Sequence, residues 1–221
     1  VIDDFNLIKD RNRKNILVSI SGGVDSALLM YLLVKYVYEN NLNVSITPWT
    51  NVDLYRPGND EAVKKIISCI QSRYPYHIEE NIIDYYYKEK TKKEHTKEFW
   101  DRIFKTNRYD LYMSGTTSTP PIDVMKKLNM YDHFLHMTIQ LGDTRTLPDQ
   151  NNLIYQKSTR MDVYKPFINI DKSQLAKIYY EEDLMEDLFP LTQSCIAPKR
   201  PCYTCWWCAE KNWAFGLYDM S

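Results

Sequence analysis

The sequence predicts a doubly wound, mostly parallel α/β sheet with a four-cysteine appendage at its carboxyl end, and three observations carry that prediction. Apolar runs of strand length alternate with helical stretches from Ile16 to Glu181, the pattern of crossover connections between parallel strands. Two of only six glycines stand together in the stretch ILVSISGGVDSALLMYLL, between an apolar strand and an apolar helix. Four of the five cysteines fall between Cys195 and Cys208.

Each element follows from its own pattern. Ile16 to Ile20 reads as a buried strand, and Ala27 to Val37, apolar almost all round, as a helix packed inside an α/β layer. Val44 to Thr47 predicts a second strand, and Asn59 to Tyr74 a helix capped by Asn59 or Asp60. His77 to Ile83 predicts a third strand, Thr91 to Thr106 a helix, Leu111 to Ser114 a short fourth strand, and Ser173 to Glu181 a later helix. Gly142 to Asn152 is turn-rich and reads as a loop. In such sheets ligands sit beyond the carboxyl ends of the strands, where strand order reverses, and Ser21 to Ser26 leaves the first strand at that end.

Composition sets the bounds. The chain has 221 residues, 44% hydrophobic and 26% charged, which suits one fairly large domain or a domain with an appendage. No apolar run approaches bilayer length, so no membrane partner is expected. The charged opening VIDDFNLIKDRNRKN lacks the apolar core of a signal peptide, and a cytoplasmic setting is the expectation. A net charge of -1 means that any nucleic acid would be held by a local patch, and such a partner is not the leading expectation. The segment KEKTKKEHTKEFWDRIFKTNR is locally basic, with Phe99, Trp100, Ile103 and Phe104 as an apolar stripe; it fits an RNA backbone or a solvated amphipathic helix equally. His133 and His136, at i and i+3, read as a packed or surface pair rather than metal ligands, and the eighteen tyrosines have no functional account.

The glycine loop has the chemistry of a phosphate cradle. Gly22 and Gly23 let main-chain N–H groups curl toward an anion at a helix N-terminus, and the Ser21 and Ser26 hydroxyls add hydrogen bonds. Neither the Walker spacing nor G-x-G-x-x-G is present. The loop, Ser21-Gly22-Gly23-Val24-Asp25-Ser26, carries Asp25 instead. A carboxylate beside a polyphosphate needs a cation between them, which points to Mg²⁺ bound with ATP.

The cysteines are spaced C-x6-C-x2-C-x2-C, as Cys195, Cys202, Cys205 and Cys208. That spacing suits a closed tetrahedral Zn²⁺ site of structural type, with an iron–sulfur cluster as the rival.

SGGVDS resembles the pyrophosphatase loop of the ATP pyrophosphatase superfamily, which includes ammonia-dependent NAD synthetases, GMP synthetases, tRNA thiolases and 7-cyano-7-deazaguanine synthases. Gly115-Thr116, after the fourth strand, is similar to the Gly-Thr turn those enzymes place near the nucleotide. Lys165-Pro166-Phe167, Asp171 to Leu175, Gln193-Ser194-Cys195, Cys202 to Cys208 and Ala214-Phe215 resemble, in order, the C-terminal third of 7-cyano-7-deazaguanine synthase. The resemblance implies a Rossmann-like nucleotide-binding ATP pyrophosphatase domain over 1–189 and a zinc-binding segment over 190–221 packed on it. It implies adenylation of a deazapurine-like carboxylate with release of pyrophosphate, attack by ammonia to give an amide and then a nitrile, and a homodimer. Ser21, Asp25 and Ser26 are then the catalytic loop residues, and Lys172 lies near phosphate; the bland alternative is an exposed first-turn lysine.

Two departures stand out. Ser118-Thr119-Pro120-Pro121-Ile122-Asp123 replaces the family's aromatic-proline-aspartate stretch, and Tyr203 replaces the glycine after the second cysteine. The alternatives are therefore an ATP-dependent tRNA sulfur transferase and a non-enzymatic zinc-containing binding protein. Sulfur transfer would need Cys69, the one cysteine outside the cluster, or the cluster itself as sulfur carrier.

Overall fold

The computed structural model describes residues 5–53, 58–86, 92–132, 135, 151–195 and 201–216. His133, His136 and residues 142–150 of the turn-rich stretch lie outside the described residues.

Six strands form one sheet: β1 (Asn15–Ser19), β2 (Ser45–Asp53), β3 (Ile82–Tyr86), β4 (Leu111–Ser114), β5 (Tyr155–Gln156) and β6 (Asp162–Tyr164). Their order is β3-β2-β1-β4-β6-β5. Neighbours from β3 to β6 are parallel, and only β5 runs antiparallel, against β6. Among the described residues the main helices are α1 (Asn6–Asp10), α2 (Val24–Glu39), α3 (Asn59–Arg73), α4 (Lys92–Thr106), α5 (Ile122–Lys127), α6 (Lys172–Glu181) and α7 (Trp206–Gly216). The mostly parallel α/β expectation holds. No helix among the described residues is long and apolar enough to cross a membrane.

The period of two along β1 divides the core between the two faces of the sheet. Ile16 and Val18 join α1, α2, α3, α6 and α7 in one large cluster, whereas Leu17 meets Trp49, Phe99 and Ile103 on the other. Burial rather than capping holds α2: no side chain caps its N-terminus, yet twelve of its sixteen residues are buried. Each fully buried aliphatic side chain contributes about 1.5–3 kcal/mol, against about 1 kcal/mol for a typical cap. On the opposite face the stripe expected on α4 packs as drawn from the sequence, with Phe99 stacked on Trp49 at 4.0 Å between ring centroids.

Three local expectations are corrected. β3 begins at Ile82, not His77, and pairs from Trp49 onward, because β2 runs on to Asp53, well past the predicted Thr47. Thr47 to Asn51 carries polar residues that hid this extension, but Thr47 and Thr50 are buried. The N-cap of α3 is Gly58, at φ +89, and Asn59 is the first helical residue. Leu184 and Leu188, in the acid-rich stretch EEDLMEDLF that begins at the end of α6, are buried in the main core.

β1 has β2 on one side and β4 on the other, so the chain changes direction across the sheet between them. The carboxyl ends of β1 and β4 therefore open a crevice at the switch point. The loop Ser21 to Gly23 and the turn after Ser114 both emerge there.

Candidate nucleotide site and cysteine cluster

The loop after β1 is shaped by backbone that only glycine supplies comfortably. Gly22 sits at φ +81, and a Cβ there would lie 3.3 Å from both Ala62 Cβ and the Asn59 carbonyl oxygen, so the start of α3 closes on it. Gly23 caps α2 in an extended conformation. The two hydroxyls knit the loop: Ser21 N–H donates to Ser26 Oγ at 3.1 Å, Ser26 Oγ donates to Gly23 O at 3.1 Å, and the two Oγ atoms lie 3.2 Å apart. The carbonyl of Gly22 accepts from Gln193 N–H at 2.7 Å, which ties the loop to the chain entering the cysteine segment. Sixteen residues of α2 point their positive dipole end at this place.

The Gly-Thr turn meets the loop directly. Ser114 Oγ and Thr116 Oγ1 are 2.9 Å apart. Just beyond, Thr117, Ser118 and Thr119 are all buried, and Ser118 N–H donates to Ile170 O at 2.9 Å. That bond holds the turn against the segment leading into α6.

Lys172 opens α6 behind a capping box: Asp171 accepts from Ser173 and Gln174 N–H groups, and Gln174 Oε1 accepts from Asp171 N–H at 3.1 Å. It is not an exposed first-turn lysine. The residue is 2% exposed, its Nζ 2.9 Å from Glu210 Oε2 and 3.3 Å from Asp25 Oδ2. Glu210, at 0% exposed, comes from α7. From further along α6, the buried Tyr179 hydroxyl donates to Val24 O at 2.8 Å, and burial with the nearby Asp25 carboxylate raises its phenol well above the ordinary range. Lys211 donates to Thr192 Oγ1 at 2.9 Å; burial and the charge of Lys172 push its ammonium down to about 8.

Two connected clefts result. One, of about 220 Å³, is lined by Ser19, Ser21, Asp25, Ser114, Gly115 and Lys172 among others. The second, of about 110 Å³, adds Gly23, Asn59, Gln193, Ser194 and Cys195. Ser21, Asp25, Lys172 and Trp207 line both. The sequence-predicted Ser21, Gly23, Asp25, Ser26, Gly115, Thr116 and Lys172 thus converge on one crevice. Gly22 and Val24 line neither cleft: Gly22 packs on the start of α3 and gives its carbonyl to Gln193 N–H, and Val24 is fully buried and contributes its carbonyl to Tyr179.

The four predicted cysteines also converge. Their Sγ atoms lie within 4.8 Å of one another, a set able to hold a metal ion, and Cys202 and Cys208 Sγ are 3.9 Å apart. The backbone N–H of Cys202 points at Cys195 Sγ and that of Cys205 at Cys202 Sγ, both at 3.4 Å. The backbone N–H groups of Thr204 and Cys205 pull the Cys202 thiol down to about 5, whereas burial pushes Cys208 up to about 12. A cationic centre would favour the thiolate at all four.

Residues that sequence reading missed are Glu210, Trp207, Gln193 and Asn59. The only signal for Glu210 was a lone acid in the otherwise aromatic stretch WWCAEKNWAF, and only the packing of α7 against α6 shows it buried.

The tRNA methyl transferase HUP domain family matches residues 14–147. The chain belongs to that family, within the PP-loop ATP pyrophosphatase superfamily of ATP-using enzymes. The match contains the Ser21–Ser26 loop and the Gly115-Thr116 turn; Lys172 and the cysteines lie beyond it.

Among curated proteins the chain is similar to tRNA-specific 2-thiouridylase MnmA of Malacoplasma penetrans, with 26% identity over 178 residues, 74% of this chain and 47% of that protein. It spans about half the length of that relative. Among solved structures, the U34-tRNA thiolase NcsA from Methanococcus maripaludis with its 4Fe-4S cluster aligns over 99% of this chain and 72% of its own, at 13% identity and a TM-score of 0.48. The NH3-dependent NAD synthetase from Campylobacter jejuni aligns over 86% of this chain and 73% of its own, also at 13% identity and 0.48.

Proposed function

We propose that this protein uses ATP to adenylate a carbonyl oxygen on a tRNA base, so that sulfur can replace it. The observation that carries the adenylation is the meeting of the Ser21–Ser26 loop with Lys172 and Asp25 at one crevice, and the 2-thiouridylase relative supports the tRNA acceptor. The base oxygen attacks the α-phosphorus, and pyrophosphate leaves toward the Gly22 and Gly23 backbone. Hydrosulfide then adds to the adenylated carbon and AMP departs with the oxygen, a sequence with no net oxidation or reduction. The protein's part is positioning and charge stabilisation rather than proton transfer.

Mg²⁺ fits beside Asp25, because one carboxylate with hydroxyls and phosphate oxygens is the donor set that ion takes. Lys172 shares that carboxylate and offers a second positive charge at the same place.

Zn²⁺ is our reading of the cysteine cluster. Four sulfurs at about 2.3 Å from one tetrahedral ion stand about 3.8 Å apart, close to the 3.9 Å between Cys202 and Cys208. Thiolates that each cap a different iron of a four-iron cube stand further apart than these four do. Zn²⁺ would hold the segment 190–221 in shape, so that α7 packs its Ala214 and Phe215 on 1–189; that is the division we retain for the two units.

Cys69 is a poor sulfur carrier. It is half-buried in α3, lines neither cleft, and burial raises its thiol. Cys69→Ala is expected to keep full activity, with sulfide supplied from outside.

A second reading keeps the 7-cyano-7-deazaguanine synthase chemistry, a deazapurine carboxylate with ammonia, and one observation favours it: the Gln193-Ser194-Cys195 segment that resembles that family walls the smaller cleft. One assay separates the readings. Pyrophosphate and AMP are measured from ATP with tRNA plus sulfide, and with 7-carboxy-7-deazaguanine plus ammonia, using Asp25→Asn as control. Release with tRNA supports the first reading, release with the carboxylate the second, and none with either leaves a non-enzymatic binder.

A further inference from the structure

Glu210 occupies an unusual place for an acid. It is 0% exposed, on a helix whose first turn is built from the cysteine cluster: Cys205 O accepts from Ala209 N–H at 3.0 Å, and Cys208 lies in the same turn. Its carboxylate reaches across to α6 and takes the Lys172 ammonium at 2.9 Å. Removing two such charges from water costs several kcal/mol per ion, and an apolar pair of the same volume would commonly be as stable. A purely architectural contact therefore gains little from being ionic.

What the ionic contact does achieve is placement. Lys172 lines both clefts, as does Asp25, which holds the same ammonium at 3.3 Å. The two carboxylates come from separate parts of the chain, one from the glycine loop and one from the metal-bearing helix. Between them they fix the charged end of a long, flexible side chain at the junction of the clefts. A lysine ammonium is a point charge on four rotatable methylenes, so its electrostatic value depends on being held. Without Glu210 the ammonium would lose its hold on α7, and the Asp25 carboxylate would draw it toward the loop.

We infer that Glu210 is a positioning residue, through which the cysteine module places the Lys172 ammonium to hold the leaving diphosphate. This rests on the adenylating role proposed above for the loop, and the test separates the two. The glycine loop, the lysine and the metal module then form one working unit.

The experiment is calorimetric titration of the full-length, metal-loaded protein with inorganic pyrophosphate and Mg²⁺, together with KM and kcat for ATP. Glu210→Gln is expected to weaken pyrophosphate about tenfold, the worth of one hydrogen bond to a charged group. Metal content should stay unchanged and the thermal midpoint should fall, since the buried ammonium loses an ionic partner; the readout specific to positioning is that KM for ATP should rise more than kcat falls. Should Glu210→Gln fail to fold, Glu210→Asp keeps the buried charge while withdrawing it by one methylene, and the same weakening is expected.

Because Glu210 acts through Lys172, Glu210→Gln should cost nothing more in a Lys172→Met background. Wild-type affinity in both Glu210 variants, or a tenfold loss that persists without the lysine, overturns the inference while leaving the loop reading intact. A wild-type protein that binds no pyrophosphate overturns the loop reading and this inference with it.

Discussion

A Cβ placed on Gly115 would lie 2.8 Å from the carbonyl oxygen of Asp25, 2.9 Å from its carbonyl carbon and 3.1 Å from the Cα of Ser26. All three are backbone atoms at the start of a buried helix, which cannot yield as a side chain can. The turn after β4 and the first turn of α2 are thus in contact because one residue has no side chain. Gly115→Ala must push the two strand ends apart, at about 1–3 kcal/mol of overpacking. Displacing Asp25 and Ser26 by part of an ångström should lower kcat/KM for ATP by about tenfold, since a misplacement of about 1 Å costs about a hundredfold. Unfolding in urea together with pyrophosphate-release kinetics checks both.

Tyr203 lies at φ +59 in the loop between Cys202 and Cys205, in the left-handed region, and is 76% exposed. This is the position at which the resembling family carries glycine. The conformation costs an L residue about 1–2 kcal/mol, and the exposed ring gains little burial in return. Tyr203→Gly removes that strain and gives some of it back as unfolded-chain entropy. A net stabilisation of about 1 kcal/mol is expected, seen as a rise in thermal midpoint of about 2–4 °C in the metal-loaded protein. An unchanged or lower midpoint would show that the tyrosine packs on something its exposure does not reveal.

Metal removal should act on the same region and then spread. α7 starts inside the cysteine cluster, and its far end puts Ala214 and Phe215 into the main core, where Phe215 packs edge-on against Tyr179 with ring centroids 5.4 Å apart. Tyr179 in turn holds the first carbonyl of α2. Stripping the ion, or Cys205→Ser, should therefore cost at least about 3 kcal/mol and lower the thermal midpoint by about 6–12 °C. Pyrophosphate binding should weaken as well, because Glu210 moves with α7. The protein as purified should be colourless and carry one zinc per chain; a brown protein with several irons would refute the zinc reading.

Much of this architecture is legible in the sequence. β1, α2, β4 and the four clustered cysteines announced themselves because each is a local pattern: an apolar run, a glycine pair, a C-x2-C spacing. Long-range decisions were not legible. The polar Thr47, Thr50 and Asn51 made β2 look short, since the burial of Thr47 and Thr50 is set by what packs on the sheet and not by their own polarity. Lys172 could be read as near phosphate or exposed until α7 folded over it. Glu210 carried no periodic or spacing signal, because its partner lies 38 residues away on another helix.

Acid stability should be set in part at the opposite end of the sheet. Asp162, the first residue of β6, is 3% exposed and accepts hydrogen bonds from Arg13, the Tyr155 hydroxyl and, at 2.9 Å, the Ser158 N–H. Burial alone would raise its carboxyl; the Tyr155 and Ser158 bonds and the Arg13 charge outweigh it, and the carboxyl is held below its ordinary value of 3.8. A carboxyl depressed on folding lends stability that is complete above its unfolded value and is lost as pH falls through its folded one. Asp162→Asn should therefore cost about 1–3 kcal/mol at neutral pH, since Arg13 is left without its buried partner. The gap between wild type and variant should hold down to about pH 4 and narrow below it. Urea unfolding of both proteins from neutral pH to about pH 3 measures this, and a gap that stays constant across the range would mean that Asp162 contributes by shape and not by charge.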